Sequence, residues 1–263
     1  MTKKIGIIGY GFLGESLYEY LKKTDIKVCA IFNRSSEKTQ DLPDALAFTE
    51  MRDFMSKVDG LDLVVELAHP DISRDWGGQI LERCDYMPCS VAALANKNLK
   101  ENLKENLLKA AKSGCTRLLV PHGAVVGIDN IYEARENWQE VTITFRKPPT
   151  AIDLDNELEG DETVLFDGPV TEIAEKYPRN VNAMVACALA TVGTDAARAR
   201  FVADRRMNNM LRGEFEFKGK DGSTLSIVKE EPAVGVSSPG MVTSIIGSVL
   251  RALQVDADGL NFV

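Results

Sequence analysis

A short β-branched run from Lys4 to Ile8 ends in Gly9-Tyr10-Gly11-Phe12-Leu13-Gly14, and a helical pattern follows through Leu17 and Leu21. Strand, glycine turn and helix in that order leave few folds open. Gly9 permits a tight turn, Gly11 lets a phosphate approach the backbone, and Gly14 lets the helix pack closely on the strand, while amides at the helix start face the anion. The G-x-G-x-x-G spacing alone arises by chance in many chains, where it is a glycine-rich surface turn. The strand before it and the helix behind it decide for a dinucleotide site. The turn therefore predicts a Rossmann unit in which Gly9, Tyr10, Gly11, Phe12, Leu13 and Gly14 cradle the pyrophosphate of NADP or NAD.

In sites that prefer NAD, an acidic residue about 20 positions further on receives the ribose hydroxyls. Here Asn33 ends the second strand and Arg34, Ser35 and Ser36 follow. No carboxylate stands there to repel a 2′-phosphate, and a guanidinium with two hydroxyls suits one. This favours NADP, with NAD as the alternative; the bland reading of Asn33, Arg34 and Ser35 is the start of a solvated loop.

Further strands are expected over Lys27 to Phe32, Asp62 to Leu67 and Leu118 to Val120, with the near-continuous hydrophobicity of strands buried on both faces. Helical stretches lie between them, the clearest from Leu99 to Lys112 with Leu103, Leu107, Leu108 and Ala111 on one face. Alternating strands and helices imply a doubly wound parallel sheet. From Val141 the pattern changes. Val141 to Phe145 alternates like a half-buried strand and ends at Arg146-Lys147-Pro148-Pro149, a helix is expected around Asn182 to Val192, and alternating segments follow at Ala199 to Ala203, Glu214 to Phe217 and Leu225 to Val228. This predicts a second, α+β domain with a largely antiparallel sheet. The expected division is a Rossmann domain over residues 1–120, an α+β substrate and dimerisation domain over 121–240, and a C-terminal helix and tail over 241–263 that packs back on the first domain.

The net charge of −8 argues against nucleic acid or an anionic membrane as partner and for a small molecule. No run approaches the roughly 20 apolar residues of a membrane span, and the start of the chain reads as the first strand rather than as a leader. Cys29, Cys84, Cys89, Cys115 and Cys187 lack the close pairs of a zinc site, so no metal is expected and reduced thiols suit a cytoplasmic protein. His69 and His122 are the two histidines. Ala68, His69 and Pro70 follow a strand at the carboxyl edge of the sheet, where the ligand crevice lies, and so join the candidate cofactor residues; a histidine satisfied by backbone at a strand end fits equally. His122 sits just past another strand, beside a glycine that lets backbone approach a ligand.

Several blocks together carry a family resemblance: the glycine turn, Val65-Glu66-Leu67-Ala68-His69-Pro70, Ser90 to Ala95, Pro121-His122-Gly123-Ala124 running on to Asp129, Arg146-Lys147-Pro148-Pro149, Phe166-Asp167-Gly168-Pro169, Tyr177 to Asn182 and Ala203-Asp204. In these the sequence resembles the L-aspartate dehydrogenases and the animal aspartate dehydrogenase domain-containing proteins along nearly its whole length. The resemblance implies NAD(P)-linked oxidative deamination of L-aspartate to oxaloacetate through iminoaspartate, or the reverse. It also implies a homodimer, with Ala124 and Asn180 near the cofactor. Arg146, Lys147, Arg179, Asn182 and Arg212 are candidates to hold the substrate, each of them equally readable as a surface polar group.

Two departures bear on catalysis. The family has serine where this chain has His122, and its catalytic histidine, several residues past the Ala-Asp pair, has no counterpart in Ala203 to Arg212. Leu211 occupies the position; a shift of one residue makes it Arg212. Leucine does not ionise and arginine stays protonated, whereas imidazole titrates near pH ~6.5 and moves protons in both directions. Three functions stay open: a dehydrogenase of aspartate or a related small amino or oxo acid in which His122 or His69 is a relocated base, a catalytically impaired NAD(P)-binding sensor or binding protein, and a structural homo-oligomer.

Overall fold

A computed structural model describes residues 2–95, 102–152, 160–235 and 237–255. The chain divides into two units. The first takes in the chain up to Ala93, the stretch that ends at Pro121 and the last helix from Val242; the second takes in His122–Met241.

The first unit runs β1 (Lys4–Ile8), α1 (Phe12–Leu21), β2 (Lys27–Phe32), β3 (Ala47–Phe48), α2 (Met51–Met55), β4 (Leu63–Glu66), α3 (Pro70–Leu81), β5 (Asp85–Pro88) and α4 (Leu103–Gly114). The strands form one parallel sheet in the order β3-β2-β1-β4-β5. Ile5, Ile7, Ile8, Leu63, Val64 and Val65 are all fully buried, as strands covered on both faces require. Strand order reverses between β1 and β4, so the carboxyl ends of these two strands border the crevice where doubly wound sheets bind ligands. The strand expected over Leu118 to Val120 is reduced to a single parallel bridge from Leu118 to Tyr86. Arg117 beside it is turned to Asp85, at 2.6 Å, and Pro121 has no amide with which to extend a ladder. The helix expected from Leu99 starts at Leu103 among the described residues, capped by the Asn102 side chain.

The second unit comprises α5 (Ile128–Glu133), β6 (Trp138–Lys147), β7 (Glu162–Pro169), α6 (Val170–Lys176), α7 (Asn182–Leu189), β8 (Arg198–Asp204), β9 (Met210–Gly219), β10 (Thr224–Pro232) and the first residues of α8 (Pro239–Leu253). Its sheet has the order β10-β9-β6-β8-β7, antiparallel except where β6 runs parallel to β8. Burial alternates along β6 and β10, which marks one covered and one open face. Ile143, Phe201 and Phe215 are fully buried, and α7 buries every residue from Ala183 to Ala188, as its all-round apolar sequence demands. No described helix is long and apolar enough to cross a membrane.

Candidate active site

Backbone builds the candidate nucleotide cradle in the first unit. Gly9 lies in the left-handed region at φ +97°, and a Cβ there would stand 2.8 Å from the Leu67 carbonyl and 2.9 Å from the Ala68 nitrogen. A Cβ on Gly14 would collide with the Gly9 carbonyl oxygen. A Cβ on Gly11, by contrast, would meet nothing within 4 Å. The protein's own packing demands two of the glycines; the third leaves an open path to the start of α1, where no side chain caps the first amides. That arrangement fits a pyrophosphate at a helix N-terminus.

Asn33 braces this turn: its Oδ1 accepts from the Tyr10 amide at 3.1 Å and its Nδ2 donates to the Ser35 carbonyl at 2.9 Å. Arg34 is exposed and Ser35 half-buried beyond it.

The loop after β4 hangs on Glu66, which is fully buried. Its carboxylate accepts from the amides of Ala68 (2.6 Å), His69 (2.8 Å) and Ser90 (3.1 Å) and from the Ser90 hydroxyl (3.0 Å). Burial pushes this carboxyl up to about 7 against the opposing pull of those hydrogen bonds. His69 caps α3, its Nδ1 accepting from the Asp71 amide at 3.3 Å with Pro70 at the first helical position.

Side chains build the cleft of the second unit. Leu211 pairs with Glu231, Gly213 with Lys229 and Phe145 with Gly213, and residues directly opposite in antiparallel strands share a face. One face of β6, β9 and β10 thus presents Phe145, Lys147, Leu211, Phe215, Lys229 and Glu231. These line a cleft of about 580 Å³, counting the part open to solvent, which Ala124, Arg179, Asn180, Asn182, Ala183 and Met241 also border. Lys147 is buried, and its ammonium donates to the backbone carbonyl of Asn180 at 3.4 Å and to its Oδ1 at 3.2 Å. Lys229 pairs with Glu231 at 3.0 Å. A Cβ on Gly240 would collide with Glu231 Oε2, so this glycine gives the carboxylate its place against the first turn of α8.

The chain's middle and C-terminal part, residues 129–254, matches the family described as aspartate dehydrogenase, C-terminal, and residues 9–121 match the NAD binding domain of homoserine dehydrogenase. An L-aspartate dehydrogenase of Methanosarcina mazei is 32% identical over 96% of this chain and 98% of the relative. The chain belongs to the L-aspartate dehydrogenase family. The aspartate dehydrogenase domain-containing protein of Danio rerio is 29% identical over 88% of this chain and 87% of its own length. The crystal structure of aspartate dehydrogenase from Thermotoga maritima superposes over the whole of both chains with a TM-score of 0.77 at 25% identity. This family member is thus an oxidoreductase of the nicotinamide-dependent, Rossmann type.

Of the residues expected to hold substrate in this aspartate dehydrogenase relative, Lys147, Arg179 and Asn182 come together around the cleft with Ala124 and Asn180. Arg146 does not; it is held by Glu162 at 2.9 Å and Asp204 at 3.0 Å. Arg212 borders the cleft, but its guanidinium pairs with Glu214 at 2.5 Å and Glu230 at 2.7 Å, the latter its partner across the ladder on the opposite face. His122 is not among the lining residues; its Nε2 lies 3.1 Å from Asp129 Oδ1. Leu211 is a lining residue. Sequence reasoning did not single out Glu66, Lys229 or Glu231. The alternation Leu225, Ile227, Lys229, Glu231 was the available signal for the last two, since period-2 burial puts all four on one face.

Proposed function

We propose that this chain interconverts L-aspartate, or a closely related small amino dicarboxylate, and its oxo acid with a nicotinamide cofactor, NADP in preference to NAD, as a homodimer. The observation that carries the reading is the cleft in which buried Lys147, with Arg179 near it, offers cations to carboxylates while Phe145, Leu211, Phe215 and Met241 supply apolar walls. Gly9, Gly11, Gly14 and the first amides of α1 would hold the pyrophosphate, Asn33 would keep the turn in shape, and Arg34 and Ser35 would take a 2′-phosphate. When bound, the cofactor supplies the hydride acceptor or donor. Lys147 and Arg179 orient the substrate carboxylates, and the apolar walls reduce the water around the reacting carbon.

A second reading rests on Leu211. No histidine occurs among the residues that line the cleft, and loss of a general base costs about a hundredfold to ten-thousandfold in rate, which would leave a protein that binds cofactor with little turnover. Stopped-flow nicotinamide absorbance across a panel of amino and oxo acids, alongside calorimetric NADPH and NADH affinities, separates the two. Turnover with L-aspartate or with oxaloacetate and ammonium is the expected result. Tight NADPH binding with no turnover on any substrate rejects the enzyme reading.

A further inference from the structure

We infer that Glu231 carries the substrate's proton in this chain, in place of the imidazole that Leu211 has removed. The inference rests on the reading that the cleft handles a small amino acid. Three observations converge on it. Leu211, where the family's histidine is expected, is the direct cross-strand partner of Glu231, so both side chains leave the sheet on the face that lines the cleft. Glu231 is also the one acid among the described lining residues, set among Lys147 on β6, Lys229 on its own strand and Arg179. A carboxylate in a site for a dianion opposes binding unless the ligand brings a cation, and the α-ammonium of an amino acid is that cation. Finally, the carboxylate has a defined position: its side chain is 14% exposed, Lys229 holds it at 3.0 Å, and Gly240 leaves room for Oε2 against α8.

The step balances. An N–H bond of the substrate ammonium breaks and its proton goes to a Glu231 oxygen. The nitrogen lone pair becomes the second bond of C=N as the Cα hydride, with its electron pair, leaves for an oxidised nicotinamide. The products are the iminium acid, the reduced cofactor and protonated Glu231. Water then adds to the iminium carbon, ammonium departs with the oxo acid left behind, and Glu231 returns its proton to solvent. Lys147 and Arg179 stay protonated throughout and hold carboxylates.

The test compares the wild type with Glu231→Gln, Glu231→Asp, His122→Ala and the pair Leu211→His plus Glu231→Gln. Calorimetry without cofactor reads the affinity for L-aspartate and for succinate, which lacks the ammonium. Stopped-flow reads turnover, and NADPH affinity checks that each variant is folded. Glu231→Gln should weaken aspartate about tenfold while leaving succinate as tight or tighter, and should lose a hundredfold or more in turnover. Glu231→Asp should keep part of the turnover, and Leu211→His should restore it to the Gln variant. Turnover that survives Glu231→Gln overturns the assignment of Glu231 alone, as does loss in His122→Ala with retention in Glu231→Gln, which puts the proton on the imidazole. A wild type that binds NADPH and turns over nothing overturns the functional reading and this inference with it.

Discussion

The glycine turn of the first unit and the cleft of the second are built on opposite principles. In the first unit the decisive atoms are backbone: amides at the start of α1, the Gly9 carbonyl and the Leu67–Ala68 peptide packed against it. In the second unit they are side chains from strands far apart in the chain, Lys147, Leu211, Lys229 and Glu231 among them. A backbone site tolerates almost any side chain except at the positions where a Cβ intrudes, so its chemistry is fixed. A side-chain site keeps its sheet while its chemistry changes, so one substitution at a lining position such as Leu211 can alter what the cleft does. Backbone shape and side-chain chemistry are thus set by different kinds of residue in the two units.

Four substitutions sharpen or break this contrast. The largest effect is expected from Gly11→Asp, which puts bulk and negative charge into space that the protein leaves open. NADPH affinity should fall at least a thousandfold, about 4 kcal/mol, with the urea midpoint unchanged. Retained affinity would remove the turn as the cofactor site. Gly14→Ala should do the reverse and cost about 3 kcal/mol of stability, because its Cβ meets a backbone carbonyl that has nowhere to go; denaturation that matches the wild type contradicts the packing argument.

Glu66 comes next. Its folded value of about 7 lies above that of an unfolded glutamate, so the folded chain holds a proton that the unfolded chain has released. The stabilisation from this group is full at pH below about 4.3 and is lost as pH rises through about 7. Wild-type stability should therefore decline by about 3 kcal/mol over that interval, a slope that Glu66→Gln should flatten. Parallel slopes in the two proteins would show that the buried carboxyl is not its source. The smallest effect is expected from Arg34→Ala, a loss of about 2 kcal/mol in NADPH affinity for a charge-assisted hydrogen bond with NADH unaffected. Equal losses for both cofactors would remove the 2′-phosphate role.

The same contrast governs what is legible in the sequence. Gly9, Gly11 and Gly14 announce the cradle because the rule they obey is local: strand, turn and helix are contiguous. The α+β sheet was legible from Val141 to Phe145 and from the alternation after Ala199, again through local periodicity. By contrast, β5 and the parallel pairing of β6 with β8 gave no signal, since four residues are too few for a period and pairing is a long-range choice. Side-chain direction was the other blind spot. Arg146 and Lys147 are adjacent and look equally suited to a carboxylate, yet one residue along a strand reverses the face, so Lys147 lines the cleft and Arg146 is held by Glu162 and Asp204. Nor does the sequence show that the Asn33 amide, at the position expected to meet the ribose, also ties Tyr10 to Ser35.

Gly240 has a consequence for how such a cleft can be altered by mutation. Glu231 Oε2 occupies the place where any side chain at position 240 would begin. The two positions are therefore coupled through the carboxylate: a larger residue at 240 would push this end of a flexible side chain to another rotamer rather than disturb the backbone, as a Cβ on Gly14 would. Changing position 240 is thus a way to move the Glu231 carboxylate within the cleft while the sheet that carries it stays as it is.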